Sequence, residues 1–208
     1  KSKDLDFIGT PFDEKSLKRL VKYEPDALKI ASCDLTNTIL IKKCMKYNLP
    51  LIISTGMSTE TEILTLNKLL DKENINRCYL HCNSTYPCPP EDVNLSYINR
   101  LSNITECISG YSSHDGDMII PLASISSGSK ILELHVTLDK EARGTDHKAS
   151  LNINELEKFV ISAKKITSSI GNANPRIISQ GELMNKIPLG KSLCYSRDLE
   201  KGHILNES

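Results

Sequence analysis

Short apolar runs alternate with segments of helical period along most of this chain, and no other feature restricts its fold as much. The runs are Asp6–Thr10, Ala27–Ala31, Pro50–Ser54, Arg77–Cys82, Glu106–Gly110 and Lys130–Val136. Each has the length of a strand. Helix signals fill the gaps. Thr59 and Glu62 have capping-box spacing ahead of Ile63, Leu66 and Leu70. Asn152 and Glu155 offer the same cap ahead of Leu156, Phe159, Val160, Ala163 and Ile170, and Gly171 follows as a stop. Segments 14–22, 36–47, 91–102 and 116–127 also read as helices. Strands separated by helices pair in parallel, because parallel neighbours need a crossover where antiparallel ones need only a turn.

A doubly wound open sheet and a closed barrel both satisfy that order, and strand chemistry separates them. In Lys130–Val136, Glu133 and His135 share one face while Leu132 and Leu134 share the other. Tyr79 and His81 lie opposite Leu80, and Lys29 lies opposite Leu28 and Ile30. One apolar face for helices and one polar face for a site suit a barrel with its active centre at the C-terminal mouth. The expected fold class is therefore α/β, a (β/α)8 TIM-type barrel. It is incomplete, since the 208 residues give about six β/α units where a whole barrel takes about 250 residues. After Gly171 the chain turns polar, with Pro175 and Pro188, and reads as a linker or the start of another module.

Lys plus Arg and Asp plus Glu both number 26, so the net charge is zero. That argues against nucleic acid or an anionic membrane as the main partner. No apolar run approaches the ~18 residues of a membrane span. Seven cysteines without framework spacing point to reduced thiols and a cytoplasmic setting.

Polar residues gather just after the apolar runs: Thr10, Ser32 with Asp34, Ser54, Ser84 with Tyr86, Ser112 with His114, and His135. A further loop holds Asp146 and His147. Small hydroxyls with the nearby Lys29 suit a phosphate or carboxylate. Each hydroxyl could equally cap the helix that follows it. His114 and His135, from neighbouring strand ends, could hold a divalent metal with open positions, or be ordinary hydrogen-bonded histidines. His147 and His203 read as surface residues. Cys82 and Cys88 lack zinc spacing and read as inert thiols. The chain has neither a Gly-rich dinucleotide fingerprint nor a Walker loop.

Together these loops resemble the sialic acid synthase family. The matching stretches are GTPFD (9–13), LKIASCDLTN (28–37), IISTGMST (52–59), LHCNSTYPCPPEDVNL (80–95), GYSSH (110–114), LELHVTLD (132–139) and GTDHKAS (144–150), in the family's order. The resemblance implies condensation of phosphoenolpyruvate with an N-acetylated amino sugar such as N-acetylmannosamine, and water. The products are a nine-carbon 2-keto acid and phosphate. It implies a divalent metal, manganese or magnesium, and a homodimer of the full-length protein. Carried over by position, Thr10, Lys29, Ser32, Ser54, Ser84 and Ser112 match phosphoenolpyruvate-binding positions. His114 and His135 match metal ligands, and Tyr86 and Asp146 match sugar contacts. Asp34 sits where some members carry Glu, and Glu133 belongs to the polar floor of the barrel. Ser113 replaces the family's usual Asp. By this resemblance residues 1–172 form a partial barrel domain that begins at the family's third strand. Residues 173–208 form a linker and the opening of an antifreeze-like (SAF) domain. A chain lacking those parts is expected to be inactive alone, and the competing reading is a barrel fragment that only binds or assembles.

Overall fold

The computed structural model describes residues 4–204. Six parallel strands form one sheet in sequence order: β1 (Ile8–Gly9), β2 (Ala27–Ile30), β3 (Leu51–Ser54), β4 (Arg77–Cys82), β5 (Ile108–Ser112) and β6 (Leu132–Glu133). Their crossovers are α1 (Glu14–Leu20), α2 (Thr38–Met45), α3 (Glu60–Lys72), the single turn α4 (Pro90–Val93) with α5 (Tyr97–Thr105), and α6 (Ile119–Ser126). The chain continues into β7 (Val136–Thr137), which pairs in parallel with β8 (Leu151–Asn152) and leads into α7 (Ile153–Ile170). The expected strands and helices all form, but the last run divides. The chain leaves the main sheet after Glu133, and Val136 joins the two-stranded sheet instead.

The sheet is curled. β2 and β6 lie four strand spacings apart, roughly 19 Å in a flat sheet. Yet Lys29 Nζ of β2 lies 3.3 Å from Glu133 Oε2 of β6, so the inner face closes on itself as in a barrel. Leu28, Ile30, Leu51 and Ile53 point outward and pack with Leu17, Ile41, Ile63, Leu66 and Leu70 from the helix layer. Register places Lys29 beside Ile52, and Ser54, Leu80 and Gly110 on neighbouring strands, along the inner face.

On β4 this reverses the expected polarity. Tyr79 and His81 face the helices, while Cys78, Leu80 and Cys82 face inward. Tyr79 donates its hydroxyl to Asn67 of α3, at 3.0 Å, and His81 Nε2 meets the carbonyl of Val93 at 2.6 Å. A polar side chain can face a helix layer when that layer supplies its partner. Burial holds His81 below the ordinary histidine value, partly offset by the Val93 carbonyl.

The caps match their sequence signals where Thr59 pairs with Glu62 and Asn152 with Glu155, and Gly171 ends α7 at φ 62°. From Asn172 onward the chain forms a separate compact unit. It contains α8 (Gln180–Leu189), capped by Ser179 and Glu182, where the polar composition suggested a linker or the start of another module. The Ser179–Glu182 spacing is the signal that composition masked. No strand forms between Gly190 and residue 204, and residues 205–208 of the antifreeze-like match lie outside the described residues.

Candidate active site

At the C-terminal ends of the strands a cavity of about 380 Å³ opens. It is lined by ten of the expected residues: Thr10, Lys29, Ser32, Ser54, Ser84, Tyr86, Ser112, His114, Glu133 and His135. The helix-cap alternative fails for the hydroxyls among them. The helices are capped by Asp13, Asn37, Thr59 and Asn152. Ser32 Oγ instead accepts from the backbone N–H of Gly56 at 3.1 Å. Ser54 is 2 % exposed, and its hydroxyl has no hydrogen-bond partner among the described residues. A buried, unsatisfied hydroxyl costs about 1–3 kcal/mol and persists where something else partners it.

The cation is equally placed for a ligand. Lys29 is 7 % exposed, on the inner face, with Glu133 as its counter-ion. Gly56 closes the floor: a Cβ there would lie 2.3 Å from Ser84 Oγ and 2.9 Å from Ser32 Oγ, so only glycine fits.

The two imidazoles, His114 and His135, line the same cavity with ring centroids 5.2 Å apart. His114 Nδ1 lies 2.7 Å from the carbonyl of Asn83. A carbonyl can only accept, so Nδ1 is the donor in this contact. His135 is anchored through its backbone, whose carbonyl accepts from Leu151 N–H at 2.9 Å. Burial, with His114 beside it, holds His135 below the ordinary histidine value against Asp146 and Glu133. Tyr86 lies over His114, centroids 3.9 Å apart, and meets His135 edge-on at 6.1 Å. Among the described residues no group of three or more His, Cys, Asp or Glu side chains is arranged to hold a metal.

Two expected site residues fall elsewhere. Asp34 is turned away from the cavity, where its carboxylate accepts from Asn37 at 2.9 Å beside the start of α2. Its place in the match left its direction open, and the 3-10 turn Ser32–Asp34 sends it back toward the helix. Asp146 does not line the cavity, but its charge is felt at His135 and Tyr86. Ser113 replaces no lost carboxylate contact at random: it donates to Asp115 at 2.7 Å, which also accepts from Tyr111. His147, expected at the surface, is half-buried with Nδ1 2.7 Å from Thr137 Oγ1. Cys82, read from the sequence as an inert thiol, also lines the cavity, as do Phe12, Cys33 and Met57. For Cys82, alternation with Leu80 was the available signal. All seven cysteines are free.

A curled parallel sheet with a polar cavity across its carboxyl ends defines a TIM-type α/β protein. The chain belongs to the NeuB family, whose model matches residues 1–175. It is 35 % identical over 204 residues to the N,N'-diacetyllegionaminic acid synthase of Campylobacter jejuni, covering 97 % of this chain and 61 % of that protein. It is 32 % identical to the human N-acetylneuraminate-9-phosphate synthase, covering 96 % and 55 %. The crystal structure of an N-acetylneuraminic acid synthetase from Leptospira borgpetersenii, in complex with citrate, superposes with a TM-score of 0.82 at 33 % identity, covering 92 % of this chain and 68 % of that one. The chain thus spans somewhat over half the length of these curated relatives. A phospho-2-dehydro-3-deoxyheptonate aldolase from Thermotoga maritima shares the fold, with a TM-score of 0.68 at 18 % identity. No helix among the described residues is long and apolar enough to cross a membrane.

Proposed function

We propose that this chain carries most of the catalytic domain of a synthase that condenses phosphoenolpyruvate with an N-acetylated amino sugar, N-acetylmannosamine or a close analogue, and water. A nine-carbon 2-keto acid and phosphate result. The observation that carries this reading is the lining of one cavity. A buried cation, Lys29, an unpartnered hydroxyl, Ser54, and two imidazoles, His114 and His135, meet in it. Lys29 and the hydroxyls of Thr10, Ser32, Ser54, Ser84 and Ser112 bind the phosphate and carboxylate, because an anion out of water needs converging donors and a cation. The enol carbon forms the new bond to the sugar's aldehyde carbon. Water delivers its oxygen to the carbon that carried the phosphate, and phosphate leaves. Glu133 is the carboxylate at hand to pass that water's proton to the new alkoxide. Asp146 and Tyr86 take the sugar side. His114 and His135 would hold a divalent ion, manganese or magnesium, whose contribution is Lewis acidity at the aldehyde oxygen. The free thiols support a cytoplasmic setting. The homodimer and the antifreeze-like domain rest on the family resemblance and belong to the longer protein.

The test is phosphate release by the full-length protein with each candidate sugar, with and without a chelator. Sugar-dependent release that a chelator stops supports the reading. Release that survives chelation, or that needs a nucleotide and no sugar, refutes it. The competing reading, a segment that binds without turnover, predicts phosphoenolpyruvate binding with no release even in the full-length protein.

A further inference from the structure

Cys82 belongs to no step above, yet its sulfur sits where the anion-binding hydroxyls meet. Ser32 Oγ donates to Sγ at 3.7 Å, and His114 Nδ1 lies 3.9 Å from the same atom. Ser84 and Ser112 line the same cavity. The missing Cβ of Gly56 would lie 3.2 Å from Sγ, so the sulfur closes the same floor that Ser32 and Ser84 share. The residue is 7 % exposed and lines the cavity with the unpartnered Ser54.

From this we infer that Cys82 is a positioning residue for the anion subsite: a weak, long-range acceptor that aims the Ser32 hydroxyl without consuming it. Sulfur is suited to that task. It accepts hydrogen bonds near 3.7 Å, and these are weak enough that a phosphate or carboxylate oxygen displaces them. An oxygen in its place would either capture the donor outright or, on its shorter bond to Cβ, stand too far from it.

The inference rests on the phosphoenolpyruvate reading, and the experiment separates the two. First, phosphoenolpyruvate binding to the unaltered full-length protein is measured by calorimetry. No binding overturns both. Second, the full-length protein is compared with Cys82→Ser and Cys82→Ala. Each should raise KM for phosphoenolpyruvate about tenfold, the worth of misplaced hydrogen bonds to a charged ligand. KM for the sugar and kcat should stay within about twofold, a split that a general packing defect would not produce. Third, on the unaltered full-length protein, methyl methanethiosulfonate transfers its methylthio group to a thiol and releases methanesulfinate. Peptide mapping should show modification at Cys82 slowed by phosphoenolpyruvate, while that at Cys107 and Cys194 is unchanged. This last measurement does not depend on any variant folding. Normal binding by the unaltered protein, with unchanged KM in the variants or no protection of Cys82, overturns the role of Cys82 and leaves the phosphoenolpyruvate reading intact.

Discussion

Replacing Lys29 with methionine keeps an unbranched side chain of similar length and removes the charge. The pair it belongs to is asymmetric: the lysine side chain is 9 % exposed, the Glu133 side chain 40 %. Without the cation, Glu133 still reaches water, so the cost to stability is about 1 kcal/mol or less. In a domain of this size that is roughly 2–4 °C in melting temperature. Ligand binding suffers more. A unit charge about 4 Å from an anion, at an effective dielectric of about 20, is worth about 4 kcal/mol. Part of that is already spent on Glu133 in the free protein. About 2–3 kcal/mol remains, roughly a 30- to 150-fold rise in the dissociation constant for phosphoenolpyruvate. Glu133→Gln should act in the opposite direction, because it releases the cation from its competitor, and should tighten binding a few-fold. Calorimetric titration of the wild type and both variants provides the assay, with thermal melts alongside. A Lys29→Met protein that binds within threefold of wild type would refute the assignment. So would one that loses more than about 3 kcal/mol of stability, since Lys29 would then be a fold determinant.

Gly56→Ala should abolish phosphoenolpyruvate binding and cost about 1–3 kcal/mol in urea unfolding, because the new methyl meets Ser84 and Ser32 on the floor; binding within twofold of wild type would contradict it. Asn67→Ala should cost about 2–4 kcal/mol, since Asn67 Oδ1 accepts from Arg77 Nε and Nη2 and from the Tyr79 hydroxyl, all lost at once. Tyr79→Phe, which removes only one of those donors and leaves Asn67 paired with Arg77, should lose about 1 kcal/mol, and equal losses would refute the account. For pH, His81 is held below its unfolded value of about 6.5. The unfolded chain therefore binds the extra proton first as pH falls. The stability from the neutral imidazole is full above about pH 6.5 and is lost as pH falls through the lower folded value. Melting temperature should drop from pH 7 to 5, less so in His81→Gln; equal drops in the two proteins would contradict it.

How much of this was legible in the sequence depends on what kind of residue carried the information. The crossovers announced themselves through local signals. Thr59 with Glu62 and Asn152 with Glu155 satisfy neighbouring backbone groups, so their spacing alone decides the structure. The inner face was legible on β2 because Lys29 between two apolar neighbours has only one sensible direction. It was misread on β4 because the partners that let Tyr79 and His81 face outward, Asn67 and Val93, lie 12 residues away from each. No two-residue period contains that information. Ten site residues were placed by the resemblance, whereas Asp34 was not, because a 3-10 turn rotates it toward Asn37. Cys82 was read as an inert thiol for a chemical reason: it has no nucleophilic or metal pattern, and the Ser32 hydroxyl beside it comes from another strand end.

The caps of α1, α2, α3 and α7 fall on Asp13, Asn37, Thr59 and Asn152, none of which lines the cavity. Helix ends and ligand contacts are therefore separate inheritances. A change in a cavity hydroxyl leaves every cap in place, and a change in a cap leaves the ligand's surroundings untouched. Scaffolds divided in this way can drift in preference without crossing the threshold of stability that removes most variants. That divided design suits a family whose relatives carry names for legionaminic, pseudaminic and neuraminic products: selection can explore the mouth of the barrel while the crossovers stand still.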